Sequence, residues 1–164
     1  MTTQNIFQFL SVLCGGLMAG LLFGYSCSVN IGLKSLANDE YLKAMQSINI
    51  AIQNPYFLTV FLCLLFILPV TSFLQYKEMA NASFYFILIA TVIYFVGVFG
   101  VTIFCNVPLN EQLAKFDIST ATTNEISTMR QSFEKSWNSY HSIRTIAAVI
   151  SFGLIILSIL KSKF

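Results

Sequence analysis

Charge is scarce in this sequence. Nine Lys and Arg and seven Asp and Glu make up 10% of 164 residues, against 56% hydrophobic residues and a mean hydropathy of +0.74. Soluble domains carry about 25% charged residues, so the chain reads as an integral membrane protein. Histidine and tryptophan occur once each, at His141 and Trp137. One histidine excludes bis-histidine haem and histidine-rich metal sites, and no metal site is expected. The four cysteines, Cys14, Cys27, Cys63 and Cys105, form no C-x-x-C pair and stand in apolar segments as small hydrophobes. With a net charge of +2 and no basic run, nucleic acid is excluded as a partner. There is no G-x-S-x-G, no H-E-x-x-H, no phosphate loop and no dinucleotide fingerprint. Carboxylates are missing from the long apolar segments, which argues against a proton-coupled transporter.

What is present is long uncharged sequence. Met1 to Leu33, Ala44 to Tyr76 and Met79 to Asn110 carry no charge, and a shorter gap follows Arg144. A spanning helix needs about 20 apolar residues. The expectation is an all-α transmembrane four-helix bundle, one domain over residues 1–164, with spans at about 6–33, 56–76, 83–105 and 141–160 and extra amphipathic helices in the two long connections. The first span lacks a basic flank and outruns the apolar part of a signal peptide, so it is expected to be retained.

Along the first span Gly16, Gly20, Gly24, Ser28 and Gly32 recur every four residues. Small residues let helices approach in lipid, so this stripe is expected to face the bundle. Tyr25, Ser26 and Asn30 lie toward its far end, Ser26 and Asn30 on one face. Asn38-Asp39-Glu40 starts a helix through Ile52, with Leu42, Met45, Ile48 and Asn49 on one side, Gln46 at its edge, and Asn54-Pro55 as its stop. Pro69 lies inside the second span. Lys77 to Ala82 is a short turn, and Asn81-Ala82-Ser83 is a sequon of little weight so close to the membrane. At Asn106-Val107-Pro108-Leu109-Asn110 the proline is expected to break or restart the third helix and leave two amides beside freed backbone. After the loop Ser119 to Asn124, a last helix runs to about Leu160.

On that last helix Trp137, His141 and Arg144 stand at i, i+4 and i+7 and share a face, which Arg130 and Glu134 extend backwards. Sixteen uncharged residues separate Arg144 from Lys161; at 1.5 Å each they cover roughly 24 Å of a hydrocarbon core about 30 Å thick. Arg144 therefore falls about a turn inside the membrane and calls for a partner. Neutral amides are the nearest acceptors, and Arg144 is expected to meet the Asn106/Asn110 segment or the Asn49 helix. The alternative is an arginine whose stem snorkels to headgroups. Both long connections lie on one side of the membrane, so Asn30, Gln46, Asn49, Asn106, Asn110, Trp137, His141 and Arg144 collect at one end. Such a set can hold a flat lipophilic phenol or quinone, with amides and Arg144 on its oxygens and His141 as proton acceptor.

The glycine-striped first helix, Ala44-Met45-Gln46-Ser47-Ile48-Asn49, Asn106-Val107-Pro108-Leu109-Asn110 and Trp137 through Arg144-Thr145 together resemble the anthrone oxygenase-like membrane family over nearly the whole chain. The resemblance implies cofactor-independent oxidation of a lipophilic aromatic or phenolic substrate. The motif matches are Asn49, Asn106, Pro108, Asn110, Trp137 and Arg144. The candidate catalytic residues are His141 and Arg144, and the candidate substrate-binding residues are Asn30, Gln46, Asn49, Asn106, Asn110 and Trp137. No cofactor is expected; the partners are the lipid bilayer and a lipophilic small molecule, with oligomeric state open. The setting expected is a bacterial inner membrane with both termini cytoplasmic, on the short Lys77, Lys161 and Lys163 edges. The other reading is a non-catalytic membrane protein that binds a lipophilic ligand or serves as a small subunit of a membrane assembly.

Overall fold

A computed structural model of the chain describes residues 2–77 and 81–162, and these are helical with no strand among them. Helix α1 runs over Thr3–Gly24, widens into a π-helical turn at Tyr25–Val29 and continues as Asn30–Lys34. Helix α2 is Asn38–Ala51 and α3 is Pro55–Lys77. Helix α4 begins as Asn81–Ile93, passes through π-helical turns at Tyr94–Gly100 and Thr102–Asn106, and ends as Val107–Ala114. Helix α5 is a single element of 40 residues, Thr123–Ser162. Four stretches, Thr3–Lys34, Pro55–Lys77, Ala82–Ala114 and Thr123–Lys161, are long and apolar enough to cross a membrane, and the chain is a multi-pass integral membrane protein.

The four long helices close a ring in which α1 packs on α3 and α5, and α4 packs on α3 and α5. Its interior is filled by Met18, Leu22, Phe61, Leu64, Leu68, Tyr94 and Ile155, among others. Where α4 crosses α5, a Cβ on Gly97 would stand 2.6 Å from the Ala147 Cβ, so only glycine permits this approach. Hydroxyl pairs also stitch the ring: Ser11 to Thr71 at 2.9 Å, Ser72 to Thr91 at 3.1 Å, and Ser83 and Ser158 both to the fully buried Gln75 Oε1 at 2.9 Å. Each pair joins different helices by a bond that lipid cannot replace.

A second core closes one end of the bundle. Tyr41, Leu42 and Met45 of α2 bury against Leu33, Leu113, Phe133 and Trp137, so α2 lies across α4 and the membrane-distal half of α5. Its start is fixed by Glu40, whose carboxylate accepts the Ala37 N–H at 3.1 Å. Its stop at Asn54-Pro55 also starts α3, since Asn54 Oδ1 accepts the Phe57 N–H at 3.1 Å and Asn54 Nδ2 donates to the Ala51 carbonyl at 2.8 Å.

Three expectations change. The glycine stripe does not line the contact. Gly20, Gly24 and Gly32 have nothing within 4 Å of an added Cβ, and only Gly16, with Phe152 at 3.2 Å, touches another helix. A strict four-residue repeat advances about 40° per step on a helix of 3.6 residues per turn, so it winds off any one face. The contact face is instead Ser11, Gly15, Met18, Ala19 and Leu22, with a Cβ on Gly15 only 3.0 Å from Ile155 Cδ1. Of the break or restart expected at Pro108, α4 shows the restart and not the break. The proline stands in the first turn of Val107–Ala114, where its missing N–H costs little, directly after a wide turn. In the second long connection the helical stretches are accordingly continuations of α4 and α5, while the first holds the separate helix α2. The Lys77 to Ala82 turn includes residues 78–80, and Lys163 and the Asn81 side chain likewise lie outside the described residues. The sequon's Ser83 is buried between helices.

Candidate functional site

The last helix carries the site. Its 3.6-residue period puts Trp137, His141, Arg144 and Thr145 on the side facing α1 and α4; Trp137, His141 and Thr145 are buried and Arg144 is half-buried. The rings of Trp137 and His141 stack with centroids 5.1 Å apart and planes 11° from parallel. Tyr25 closes over both, its ring 5.0 Å from His141 and 5.4 Å from Trp137, and its hydroxyl meets Met45 Sδ at 3.3 Å.

His141 is 1% exposed. Its Nε2 is 2.9 Å from Ser26 Oγ and 3.4 Å from Thr145 Oγ1, and Nδ1 is 3.2 Å from Arg144 Nη2. Arg144 lies over the Trp137 ring at 5.1 Å, and its Nη1 donates to Thr102 Oγ1 at 3.4 Å. The guanidinium therefore points into the bundle, away from the headgroup position of a snorkelling side chain. Its α4 partner is Thr102, one turn before Asn106, where Asn106/Asn110 or Asn49 was expected. Among the described residues no carboxylate pairs with it; the ion pairs there are Lys43 with Asp39 and Arg130 with Glu134. Arg144 Nε is shielded from solvent and has no acceptor.

Asn106 is 1% exposed and donates from Nδ2 to the Trp137 carbonyl at 3.3 Å. A carbonyl only accepts, so the orientation of the amide is fixed, and Asn106 Oδ1 is left buried without a donor. One donor on α5 and one acceptor on α4 thus lack partners. Asn110 belongs to the cluster from below, taking the Trp137 Nε1 hydrogen bond at 2.8 Å.

The remaining candidates stand apart. Gln46 donates from Nε2 to the carbonyls of Leu113 and Phe116 at 2.9 and 3.0 Å, and so closes the C-terminal end of α4. Asn49 is buried with Nδ2 unpartnered, and its carbonyl accepts from Gln53. The Asn30 side chain is half-buried and makes no hydrogen bond among the described residues. A cleft of about 460 Å³ lined by Lys43, Gln46, Lys115, Phe116, Asp117 and Ser119 opens beside Gln46, away from His141. Burial first, then the Glu134 carboxylate, pushes the Tyr41 phenol at this end above its ordinary range, so it stays neutral.

Ser26, Thr102 and Thr145 are site residues that the sequence did not single out as candidates. Thr145 and Thr102 carry a signal, because each lies four residues from a candidate and so shares its face. Ser26 carries less, since it is aimed by the wide turn Tyr25–Val29; Thr102 and Asn106 bound a second such turn. Wide turns of this kind are frequent at functional sites. Among the described residues no three His, Cys, Asp or Glu side chains gather as a metal site.

The sequence model of the anthrone oxygenase family matches residues 45–154, a stretch that holds the second half of α2, all of α3 and α4, and the whole Trp137-to-Thr145 face. No curated protein and no solved structure matches the chain.

Proposed function

The chain belongs to the anthrone oxygenase family, and on that premise we propose that it oxidises a lipophilic phenolic aromatic with dioxygen, at Arg144 and His141. The observation that carries this reading is a guanidinium inside the bundle with only uncharged partners and an unused Nε donor. A charge so placed is costly unless an anion meets it. An anthrone supplies one, because a CH₂ between two aryl rings and opposite a ring carbonyl loses a proton to give an anion centred on oxygen.

In the proposed reaction His141 Nδ1 takes that proton while Arg144 Nη2 turns from the ring nitrogen to the new oxyanion. The same guanidinium proton keeps an acceptor throughout. The Asn106 Oδ1 acceptor and Arg144 Nε donor suit a hydroxyl or ketone oxygen of the substrate. The carbanion carbon then bonds to dioxygen, and loss of the second C–H breaks the O–O bond. One oxygen remains as the new carbonyl and the other leaves as water. The substrate supplies all four electrons that dioxygen takes up, so the balance closes with no further reductant. The lipid bilayer is the proposed reservoir of substrate. Termini on the cytoplasmic side of a bacterial inner membrane remain part of this proposal, supported by Lys77 and Lys161.

The test is dioxygen uptake by the full chain in lipid nanodiscs, with anthrone as probe. Arg144→Gln and His141→Gln are each expected to lower turnover by about 10²–10⁴-fold with helix content unchanged. Uptake equal to that of empty nanodiscs sinks the reading. A second reading, a non-catalytic polar lock, is favoured by the fact that Ser26, His141, Arg144 and Thr102 tie α1, α5 and α4 together. It predicts that both variants lose thermal stability in parallel and that anthrone is not consumed.

A further inference from the structure

The hydrogen bonds around His141 have a direction that follows from which atoms hold protons. A guanidinium donates and has no lone pair to accept with. The 3.2 Å contact from Arg144 Nη2 therefore needs the lone pair of His141 Nδ1. The neutral ring then carries its proton on Nε2, which donates to Ser26 Oγ at 2.9 Å. Thr145 uses its own hydroxyl proton on the His141 carbonyl at 2.8 Å, so at the 3.3 Å contact with Ser26 it accepts. Nε2 gives to Ser26, Ser26 to Thr145, and Thr145 to the backbone of His141. Each proton is used once and each has an acceptor. In the opposite tautomer an N–H on Nδ1 would face the N–H of Arg144, two donors with nothing between them.

We propose that Ser26 is a positioning residue that holds His141 as the Nε2–H tautomer, so that the Nδ1 lone pair is presented on the Arg144 side of the ring. The wide turn at Tyr25–Val29 aims Ser26 at the ring. Around the ring α1 offers Ser26, the Leu22 backbone and the Tyr25 ring edge, and α5 offers Arg144, Thr145 and Trp137. Arg144 is the charged group in this set, and it already holds Nδ1. Of the two hydroxyls Ser26 Oγ is the nearer to Nε2, and its loss leaves Thr145 Oγ1 at 3.4 Å and the Leu22 carbonyl. This role rests on His141 as the proton acceptor of the proposed reaction, but the tautomer itself does not.

Because His141 is the sole histidine, ¹⁵N-labelled full chain in nanodiscs yields one pair of imidazole nitrogen resonances. In the parent protein Nδ1 is expected at the unprotonated position and Nε2 at the protonated one. Ser26→Ala, in which Arg144 still opposes the other tautomer, is expected to shift the Nε2 resonance and admit a minor Nδ1–H fraction at unchanged helix content, and Ser26→Thr to restore the parent pattern. Turnover of anthrone should follow, with kcat falling by about tenfold or more in Ser26→Ala, KM unchanged, and recovery in Ser26→Thr. A parent spectrum with the proton on Nδ1, or a Ser26→Ala spectrum identical to the parent, overturns the inference whatever the turnover. If the spectra behave as expected and His141→Gln still consumes anthrone, the functional reading fails and the tautomer lock stands.

Discussion

Two arginines on one helix face the same interior and are treated in opposite ways. Arg130 and Arg144 lie fourteen residues apart on α5, about 21 Å along its axis. Arg130 uses every nitrogen. Its Nε meets Glu134 at 2.9 Å, Nη1 donates to the Leu36 carbonyl at 2.6 Å and to Asn38 Oδ1 at 3.1 Å, Nη2 donates to the Lys34 carbonyl at 3.0 Å, and the plane lies 4.5 Å over Tyr41. The carbonyls at the end of α1 have no helical partner of their own, so Arg130 both ends α1 and pins α2. Arg144 has two partners, both neutral, and a buried Nε with none. Buried polar groups are satisfied as a rule. The completed arginine explains the fold; the incomplete one marks where an outside molecule would change the energy.

The largest effect expected from this contrast is a crossed pair of variants. Arg144→Gln should abolish most of any anthrone turnover and shift thermal unfolding little. Arg130→Gln should lower stability by about 2–4 kcal/mol, through the lost carbonyl and carboxylate contacts and an unpaired Glu134, and leave turnover per folded molecule near that of the parent. Denaturant titration in mixed micelles and dioxygen uptake on the same preparations separate the two. Turnover and stability falling together in both variants would erase the distinction between the arginines.

A medium effect is expected at the α4–α5 crossing. Gly97→Ala places a methyl group 2.6 Å from the Ala147 Cβ, and neither partner is a flexible side-chain end. The helices must part, at about 1–3 kcal/mol. Thr102 lies on the same α4 segment and should draw away from Arg144, whereas Arg130 bonds only to α5 itself and to the α1–α2 corner. Unfolding by guanidinium in micelles measures the loss. A double variant with Ala147→Gly, which removes the clashing methyl, should recover most of it.

How much of this was legible in the sequence depends on what each feature needs. The spans could be read from charge-free gaps because lipid penalises every charge, wherever the neighbouring helices stand. The Trp137, His141 and Arg144 face could be read because its spacing stays within one helix. Gln46 and Asn49 were legible as polar residues on an amphipathic helix but not in their roles, since the carbonyls that Gln46 closes belong to the end of α4 and the turn after it, 67 and 70 residues away. At Pro108 a break or a restart could be read but not which, because the choice depends on the wide turn that precedes it and lets the helix restart in line. Thr102 was within reach of the same reasoning, four residues from Asn106, whereas Ser26 was legible only on the face of Asn30: the π-helical turn Tyr25–Val29 re-aims it away from the position that regular periodicity assigns.

The smallest effect is expected in α1, where the repeated glycines invite the opposite guess. Ser26 reaches His141 only if α1 stays close to α5, and Gly15 sets that distance, with Ile155 Cδ1 at 3.0 Å and Phe152 at 3.4 Å from an added Cβ. Gly20 comes five residues later, about 140° around the helix. It is exposed, with nothing within 4 Å of an added Cβ. Gly20→Leu therefore points a side chain into the surroundings, where Leu17, Leu21 and Phe23 already lie open. Leucine also gains helix propensity over glycine, by a few tenths of a kcal/mol to about 1, and partly offsets any crowding of the neighbouring turn. The net change in unfolding free energy is expected within about 0.5 kcal/mol, with the ¹⁵N pattern of His141 unaltered. Gly15→Leu in the same assay should lower stability by about 1–3 kcal/mol and disturb the tautomer through Ser26. Equal losses at Gly15 and Gly20 would return the contact face of α1 to the four-residue stripe.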